Sequence, residues 1–214
     1  MEIIKVNLST DWSDSEIINK ALTVLQRNGA IVYPTDTVYG LGVNALRESA
    51  VERLFRMKKR PLTKPVPVII HNLAMAKKLA LVDRRTERVL AAIWPGPVTV
   101  ILKKRETIPG FLTAGKETIG LRIADCQLTK ALAAKLEGPI TATSANFSGQ
   151  PPLSSASQVA EIFDKAYPRP DLILDAGQLP NNQPSSILDL TGQQPKILRV
   201  GPASKENLLK LLKT

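Results

Sequence analysis

Three short polar segments hold most of the side chains in this sequence that could do chemistry. Pro34–Thr37 directly follows an apolar run, Lys58–Arg60 ends a predicted helix, and residues 141–149 (TATSANFSG) leave another apolar run. Together they supply cations, hydroxyls and an amide, without a convincing covalent nucleophile. This set is typical of sites that bind and transfer phosphate-bearing groups, where catalysis is mainly positioning and charge neutralisation. A basic cluster at a helix end usually faces water, and we expect that of Lys58–Arg60.

Two glycine-rich segments resemble nucleotide-binding loops but lack essential parts. Gly110–Glu117 approximates a P-loop, yet Glu117 stands where a hydroxyl residue would hold magnesium, and a strand is predicted to follow instead of a helix. Gly40–Gly42 approximates the dinucleotide fingerprint, but residues 34–39 separate it from the preceding strand. A tight turn is the better interpretation of these two glycines.

The other chemically reactive residue types are scarce. His71 is the only histidine, which excludes sites with several histidine ligands, and its isolation favours a packing role. Cys126 is the only cysteine, so an internal disulfide and a cysteine zinc site are excluded. We expect Cys126 to be a buried small apolar residue.

The charge balance favours an anionic partner. The 214 residues include 29 Lys and Arg against 19 Asp and Glu, for a net charge of +10. The basic residues form short dispersed clusters and aromatic residues are only 4%, which argues against a stacking platform for single strands. We therefore expect the charge to gather around a pocket. No secretory signal or membrane-length apolar run is present, so a cytoplasmic protein without a membrane partner is expected.

Alternating helical and strand patterns must position these groups. Helices are predicted at 15–28, 49–58, 73–81, 86–94, 127–136, 154–167 and 205–212. Strands are predicted at 30–33, 66–71, 98–103, 119–124, 140–143, 172–175, 186–190 and 197–200. This alternation predicts an α/β fold with a large twisted sheet, antiparallel in part, in a single domain over 1–214.

A longer series of motifs, in the same order along the chain, resembles the YrdC-like family. The motifs are Ile31–Gly42, Lys58-x-Arg60-Pro61, Trp94–Thr99, Thr118–Arg122, Ser144-Ala145-Asn146 with Ser148-Gly149, Pro184–Asp189 and Leu198–Pro202. The resemblance runs from about residue 10 to the C-terminus. It implies an α/β fold in which a twisted mixed sheet with flanking helices surrounds a large basic cavity.

The resemblance also implies an enzymatic activity, that of an L-threonylcarbamoyladenylate synthase. Such an enzyme forms L-threonylcarbamoyl-AMP and pyrophosphate from L-threonine, bicarbonate and ATP, with Mg2+ entering through the ATP phosphates. The product would feed N6-threonylcarbamoyladenosine modification at position 37 of tRNAs that decode ANN codons. The implied partner is a downstream tRNA threonylcarbamoyl transferase complex, and the charge leaves open direct binding of tRNA or other RNA.

Ten side chains take roles by the same resemblance. Lys58 and Arg60 are expected to be catalytic and to contact the ATP phosphates. Further ATP contacts are expected from Thr118, Ser144, Asn146 and Arg199. Contacts to threonine are expected from Thr35, His71, Arg122 and Ser185, so the family role replaces the packing role for His71. The chain departs from the family at Ala124-Asp125-Cys126, where Pro-x-His is usual.

Two other functions remain open. A non-catalytic protein that binds double-stranded RNA or tRNA would also be basic, and its binding would depend on salt but not on threonine. A paralogue with a different acyl-adenylating activity would share the same motifs.

Overall fold

The computed structural model describes residues 1–12 and 15–212, which form eight helices and eleven strands. The helices are α1 (Glu16–Gln26), α2 (Glu48–Lys58), α3 (Leu73–Leu79), α4 (Arg84–Ile93), α5 (Gly110–Thr113), α6 (Gln127–Leu136), α7 (Ala156–Asp164) and α8 (Lys205–Leu211). The strands are β1 (Glu2–Lys5), β2 (Ile31–Tyr33), β3 (Gly40–Gly42), β4 (Val68–Ile69), β5 (Val98–Lys103), β6 (Thr118–Arg122), β7 (Ile140–Thr141), β8 (Thr143–Ser144), β9 (Leu172–Asp175), β10 (Ser186–Asp189) and β11 (Lys196–Arg199). Of the described helices, none has the length and apolar character needed to cross a bilayer.

The strands form two mixed sheets. The first has the order β1-β9-β2-β3-β8, with β1, β9 and β2 parallel and the other pairs antiparallel. The second has the order β11-β10-β5-β6-β4-β7, in which β10 is parallel to β5 and β4 to β6. The α/β class with flanking helices is confirmed. The prediction of one large sheet is wrong, because a strand pattern in the sequence does not show which strands pair with each other.

One predicted strand, 140–143, is divided between the two sheets. Ile140–Thr141 pairs with β4 of the second sheet, whereas Thr143–Ser144 pairs with β3 of the first. The chain crosses between them at Ala142, whose amide donates to the Pro67 carbonyl at 2.7 Å. The segment that carries the third polar motif therefore lies where the two sheets meet.

Gly40–Gly42 does not form the tight turn that we expected. It is strand β3, antiparallel to β2, with Gly40 opposite Tyr33. A Cβ at Gly40 would lie 2.6 Å from the Tyr33 ring, and a Cβ at Gly42 would also lie 2.6 Å from it. Glycine is needed here because the Tyr33 ring lies against both backbone positions.

Helices α1 and α6 cover a core shared by the two sheets. Ile18 and Leu25 of α1 pack in one cluster with Leu132 of α6, Ile31 of the first sheet and Ile69 of the second. Ser15 begins α1 as the sequence predicts, since its hydroxyl accepts the Ile17 amide at 3.2 Å. This shared packing fixes the junction of the sheets.

Candidate active site

A cavity of about 320 Å³ lies at the junction of the two sheets. Its walls come from β2, β3 and β8 of the first sheet and from β4, β5, β6, β10 and β11 of the second. The volume is at the lower end of the range for small-molecule sites.

Seven of the ten predicted site residues line this cavity, and three do not. The lining residues are Thr35, Arg60, Thr118, Arg122, Ser144, Ser185 and Arg199. Lys58, His71 and Asn146 lie outside the lining. Residues expected to contact ATP and residues expected to contact threonine are therefore brought to one cavity, although they are up to 164 positions apart.

Arg122 is the most buried of the three cavity arginines, with only 7% of its side chain exposed. Its Nε donates to the Gly96 carbonyl at 3.1 Å and its Nη1 to the Thr37 hydroxyl at 3.0 Å. Its Nη2 donates to Asp36 Oδ1 at 2.5 Å. Burial lowers the Arg122 pKa, and the Asp36 carboxylate opposes this shift. Three of the five guanidinium N–H donors are thus already used, which leaves two for a ligand.

The segment 34–38 is a hydrogen-bonded turn that presents the Thr37 hydroxyl to Arg122. Thr35 Oγ1 donates to the Val38 carbonyl at 2.7 Å and accepts the Thr37 amide at 3.1 Å. The two threonine hydroxyls are 2.9 Å apart. Thr129 holds the start of the turn, because its hydroxyl donates to the Pro34 carbonyl at 2.9 Å. The Thr35 hydroxyl therefore serves the turn and also lines the cavity.

Ser185 and Arg199 form a second polar group in the cavity lining. Arg199 Nε donates to the Ser185 carbonyl at 2.8 Å, and its Nη2 donates to the Ser185 hydroxyl at 3.3 Å. The same hydroxyl lies 2.8 Å from that of Thr99. Burial and then the like charge of Arg122 lower the Arg199 pKa. Two guanidinium groups that repel each other across a cavity favour an anionic ligand between them.

Arg60 reaches the cavity with its guanidinium held by backbone carbonyls. Nη2 donates to Pro65 O at 2.8 Å and Nε donates to Lys64 O at 3.3 Å. Burial lowers the Arg60 pKa, but arginine stays charged near neutral pH. The group is oriented without being neutralised, because among residues 1–12 and 15–212 no carboxylate forms an ion pair with it.

Lys58 is buried, which corrects the expectation that the Lys58–Arg60 cluster faces water. Only Lys59 of the three is exposed, whereas Lys58 is 1% exposed. Lys58 Nζ donates to the Ser144 carbonyl at 2.5 Å and to the Asn146 carbonyl at 2.6 Å. Burial, followed by the charge of Arg60, lowers the Lys58 pKa to about 7. Lys58 can be buried because these two carbonyls supply hydrogen bonds that its amine would otherwise make to water.

Asn146 is also buried, at 5% exposed. Its Nδ2 donates to Gln150 O at 2.6 Å and to Phe147 O at 2.9 Å, which closes its own loop. Its Oδ1 is buried without a hydrogen-bond partner in the described part of the chain. Asn146 thus orders the loop that follows Ser144 and keeps Oδ1 as an acceptor without a partner among the described residues.

His71 follows β4 and is partly buried outside the cavity lining. Its Nδ1 is buried and has no partner among the described residues. Burial and, to a lesser degree, Lys78 lower the His71 pKa, which favours the neutral form of the ring. Its role toward threonine stays a prediction.

The structure adds residues that we did not assign to the site. Asp36, Thr37 and Thr99 hold the Arg122 and Ser185 side chains. The signal was present, because Asp36 and Thr37 lie in the first polar segment and Thr99 ends the Trp94–Thr99 motif. Cys126 is buried as expected, at 8% exposed, with its Sγ 3.6 Å from the Pro34 carbonyl.

The sequence matches one protein family. The family model described as "Telomere recombination", which covers Sua5, YciO and YrdC, matches residues 23–201. The chain belongs to this family.

Individual relatives within the family carry a more specific name. A threonylcarbamoyl-AMP synthase of Pyrococcus abyssi is 38% identical over 87% of this chain and 54% of its own length. One from Cellvibrio japonicus is 35% identical over 86% of this chain and 96% of its own length. The crystal structure of P. abyssi Sua5 complexed with L-threonine has a TM-score of 0.91 at 34% identity, covering 99% of this chain and 61% of that one. The chain therefore spans about half of the P. abyssi relative and nearly all of the C. japonicus relative.

Proposed function

We propose that this protein forms L-threonylcarbamoyl-AMP and pyrophosphate from L-threonine, bicarbonate and ATP. The observation that carries the proposal is one cavity lined by three arginines together with Thr35, Thr118, Ser144 and Ser185. The relatives named threonylcarbamoyl-AMP synthase and the threonine-complexed Sua5 support the same reaction. The product would be consumed in the cytoplasm by a transferase complex that modifies adenosine 37 of tRNA.

The reaction joins a carboxylated threonine to AMP. Bicarbonate first carboxylates the threonine amine with loss of water, and a carbamate oxygen then attacks the α-phosphorus of ATP. The bond between that phosphorus and the bridging oxygen breaks, and pyrophosphate leaves. Arg60 and Arg199 would neutralise the phosphates, while the two unused N–H groups of Arg122 would bind the threonine carboxylate.

The residues fit magnesium that arrives on ATP better than magnesium held by the protein. Within the described ranges 1–12 and 15–212, no group of three or more His, Cys, Asp or Glu residues could hold a metal ion. The buried Asn146 Oδ1 without a partner and the Ser144 hydroxyl are oxygen donors, the type that Mg2+ prefers. Magnesium would shield the phosphate charge, and these two residues would orient the metal-bound phosphates.

The test is pyrophosphate release with ATP, magnesium, bicarbonate and threonine. Release should require threonine and bicarbonate together, and mass spectrometry should find threonylcarbamoyl-AMP. Arg60→Ala should lower turnover about 10²–10³-fold, because an oriented charge near the phosphates is lost. Turnover that continues without bicarbonate, or equally fast with serine, would contradict the proposal. Equal turnover with another amino acid would favour an acyl-adenylating paralogue.

RNA binding without catalysis remains a second candidate, because the chain carries a net charge of +10. Binding of tRNA or double-stranded RNA should then weaken steeply with salt and ignore threonine. Tight RNA binding by a protein that releases no pyrophosphate would favour this function. RNA binding combined with threonine-dependent release would instead indicate an enzyme that contacts tRNA directly.

A further inference from the structure

Lys58, at the end of helix α2, is hydrogen-bonded to the segment 144–148 through both its side chain and its backbone. The Lys58 side chain donates to the carbonyls of Ser144 and Asn146, at 2.5 and 2.6 Å. In return the Lys58 carbonyl accepts the Ser148 amide at 2.8 Å. Lys58 thus makes three hydrogen bonds to one short segment.

The neighbouring residue, Lys59, lies over the same segment from an exposed position. Lys59 adopts a left-handed conformation that ends α2, and its Nζ lies 5.1 Å from the centre of the Phe147 ring. Phe147 packs in turn against Phe163 of α7, with ring centres 5.4 Å apart. The segment 144–148 is therefore held between α2 and α7.

We propose that Lys58 is a positioning residue that sets the Ser144–Asn146 segment against the nucleotide and does not itself contact the phosphates. The inference deepens the proposed function and depends on it for the identity of the nucleotide. Arg60, which lines the cavity, is the member of the basic cluster that meets the phosphates.

Two observations favour this role over a direct phosphate contact. Lys58 is 1% exposed and does not line the cavity, so its amine would have to leave its site to reach a ligand. That movement would take a donor from the Asn146 carbonyl and from the Ser144 carbonyl, although the Ser144 carbonyl would keep its bond from the Asn146 amide at 2.9 Å, and losing a donor is costly for a buried group. A neutral amine has two N–H donors, which matches these two carbonyls, and burial lowers the Lys58 pKa to about 7.

The experiment compares Lys58→Met with Lys59→Met, which removes a charge from the same cluster at an exposed position. ATP binding is measured by calorimetry at several salt concentrations. Lys58→Met should weaken ATP binding about tenfold, as happens when a group that orients a ligand-binding residue is lost. Its salt dependence should equal that of the wild type, because no charge pair with the phosphates is removed. Lys59→Met should change ATP affinity by less than about twofold, because methionine can keep a contact with the Phe147 ring.

Measuring the effect of Lys58→Met on ATP affinity in a second background distinguishes positioning from a general loss of structure. When Ser144→Ala and Asn146→Ala are already present, Lys58→Met should cost less than about twofold in ATP affinity, because the groups it positions are gone. A cost equal to that in the wild type would overturn the proposal. So would a reduced salt dependence, or unchanged ATP affinity in a variant that is merely less stable to heat.

Hydrogen exchange tests the structural half of the proposal without any ligand. Amides of residues 145–149 should exchange faster in Lys58→Met than in Lys59→Met, and equal exchange would overturn it. If Lys58→Met does not fold, Lys58→Gln, whose side chain ends one atom short of the Lys58 amine position, takes its place in every comparison. A wild type that binds ATP but releases no threonine-dependent pyrophosphate would overturn the proposed function alone. A wild type that does not bind ATP would overturn both.

Discussion

Replacing Arg122 by methionine tests whether the Asp36–Arg122 pair organises the cavity. The two side chains are 13% and 7% exposed, and Arg122 donates to three acceptors from three different residues. Arg122→Met would leave the Asp36 carboxylate buried, with neither oxygen bound, since Oδ2 already has no partner among the described residues. Removing one member of a buried pair costs about 3–5 kcal/mol. That is a large fraction of the ~5–15 kcal/mol that stabilises a typical domain.

The conservative variant Arg122→Lys separates stability from binding. A lysine keeps the charge, but its single nitrogen cannot reach the Gly96, Thr37 and Asp36 acceptors together. Losing one such charged hydrogen bond costs about 1.5–3 kcal/mol, and we expect a loss of that size. Threonine affinity should fall more than ATP affinity, because a planar fork suits a carboxylate better than a point charge does.

Urea unfolding gives the stability of each variant, and calorimetry gives its affinities for threonine and ATP. The double variant Asp36→Asn with Arg122→Met is the control, because it leaves no buried charge and should lose less stability than Arg122→Met alone. The reasoning would be refuted by a loss below about 1 kcal/mol in Arg122→Met. Unchanged threonine affinity in Arg122→Lys would refute the assignment of the carboxylate.

Two further predictions concern stability. The Lys58 pKa is about 7 in the folded protein, whereas the pKa of a lysine in an unfolded chain is ~10.4. Between these two pH values the unfolded state binds one proton more than the folded state. The free energy of unfolding should therefore rise from about pH 7 to about pH 10. Lys58→Met should lack this rise when urea unfolding is compared at pH 7 and pH 9, and parallel profiles would contradict the prediction. Gly42→Ala should cost about 1–3 kcal/mol, because its Cβ would lie 2.6 Å from the Tyr33 ring and 2.7 Å from Ile140. Gly110→Ala, whose Cβ meets nothing within 4 Å, is the control, and equal stability of the two variants would show that the crowding at Gly42 is relieved at no cost.

The resemblance and the strand pattern together predicted which segments meet. Residues 31–42, 118–122 and 184–189 were expected to serve one site, and the structure brings their polar side chains to a single cavity. The strand bounds at 98–103 and 172–175 were predicted to the residue. The strand bounds are confirmed because they depend on local sequence, an apolar run of strand length.

The predictions that failed depend on partners far away in the sequence. Whether Lys58 faces water is decided by the Ser144 carbonyl, 86 positions further along the chain. Gly40–Gly42 is an inner strand of its sheet because it pairs with β8, at residues 143–144, in addition to the nearby β2. Local pattern contains neither contact, and both lie at the junction between the sheets.

The three cavity arginines differ in the protein groups that they already bind. Each is therefore suited to a different part of the ligands. Arg122 forms an ion pair with Asp36, so it adds little net positive charge and serves best as a shaped donor of two N–H groups. Arg60 and Arg199 are oriented by carbonyl and hydroxyl oxygens, and within the described ranges neither forms an ion pair. Their charge is therefore available to a polyanion. Arg122 would bind a small carboxylate through its two remaining N–H groups. Arg60 and Arg199 would bind phosphates through their uncompensated charge.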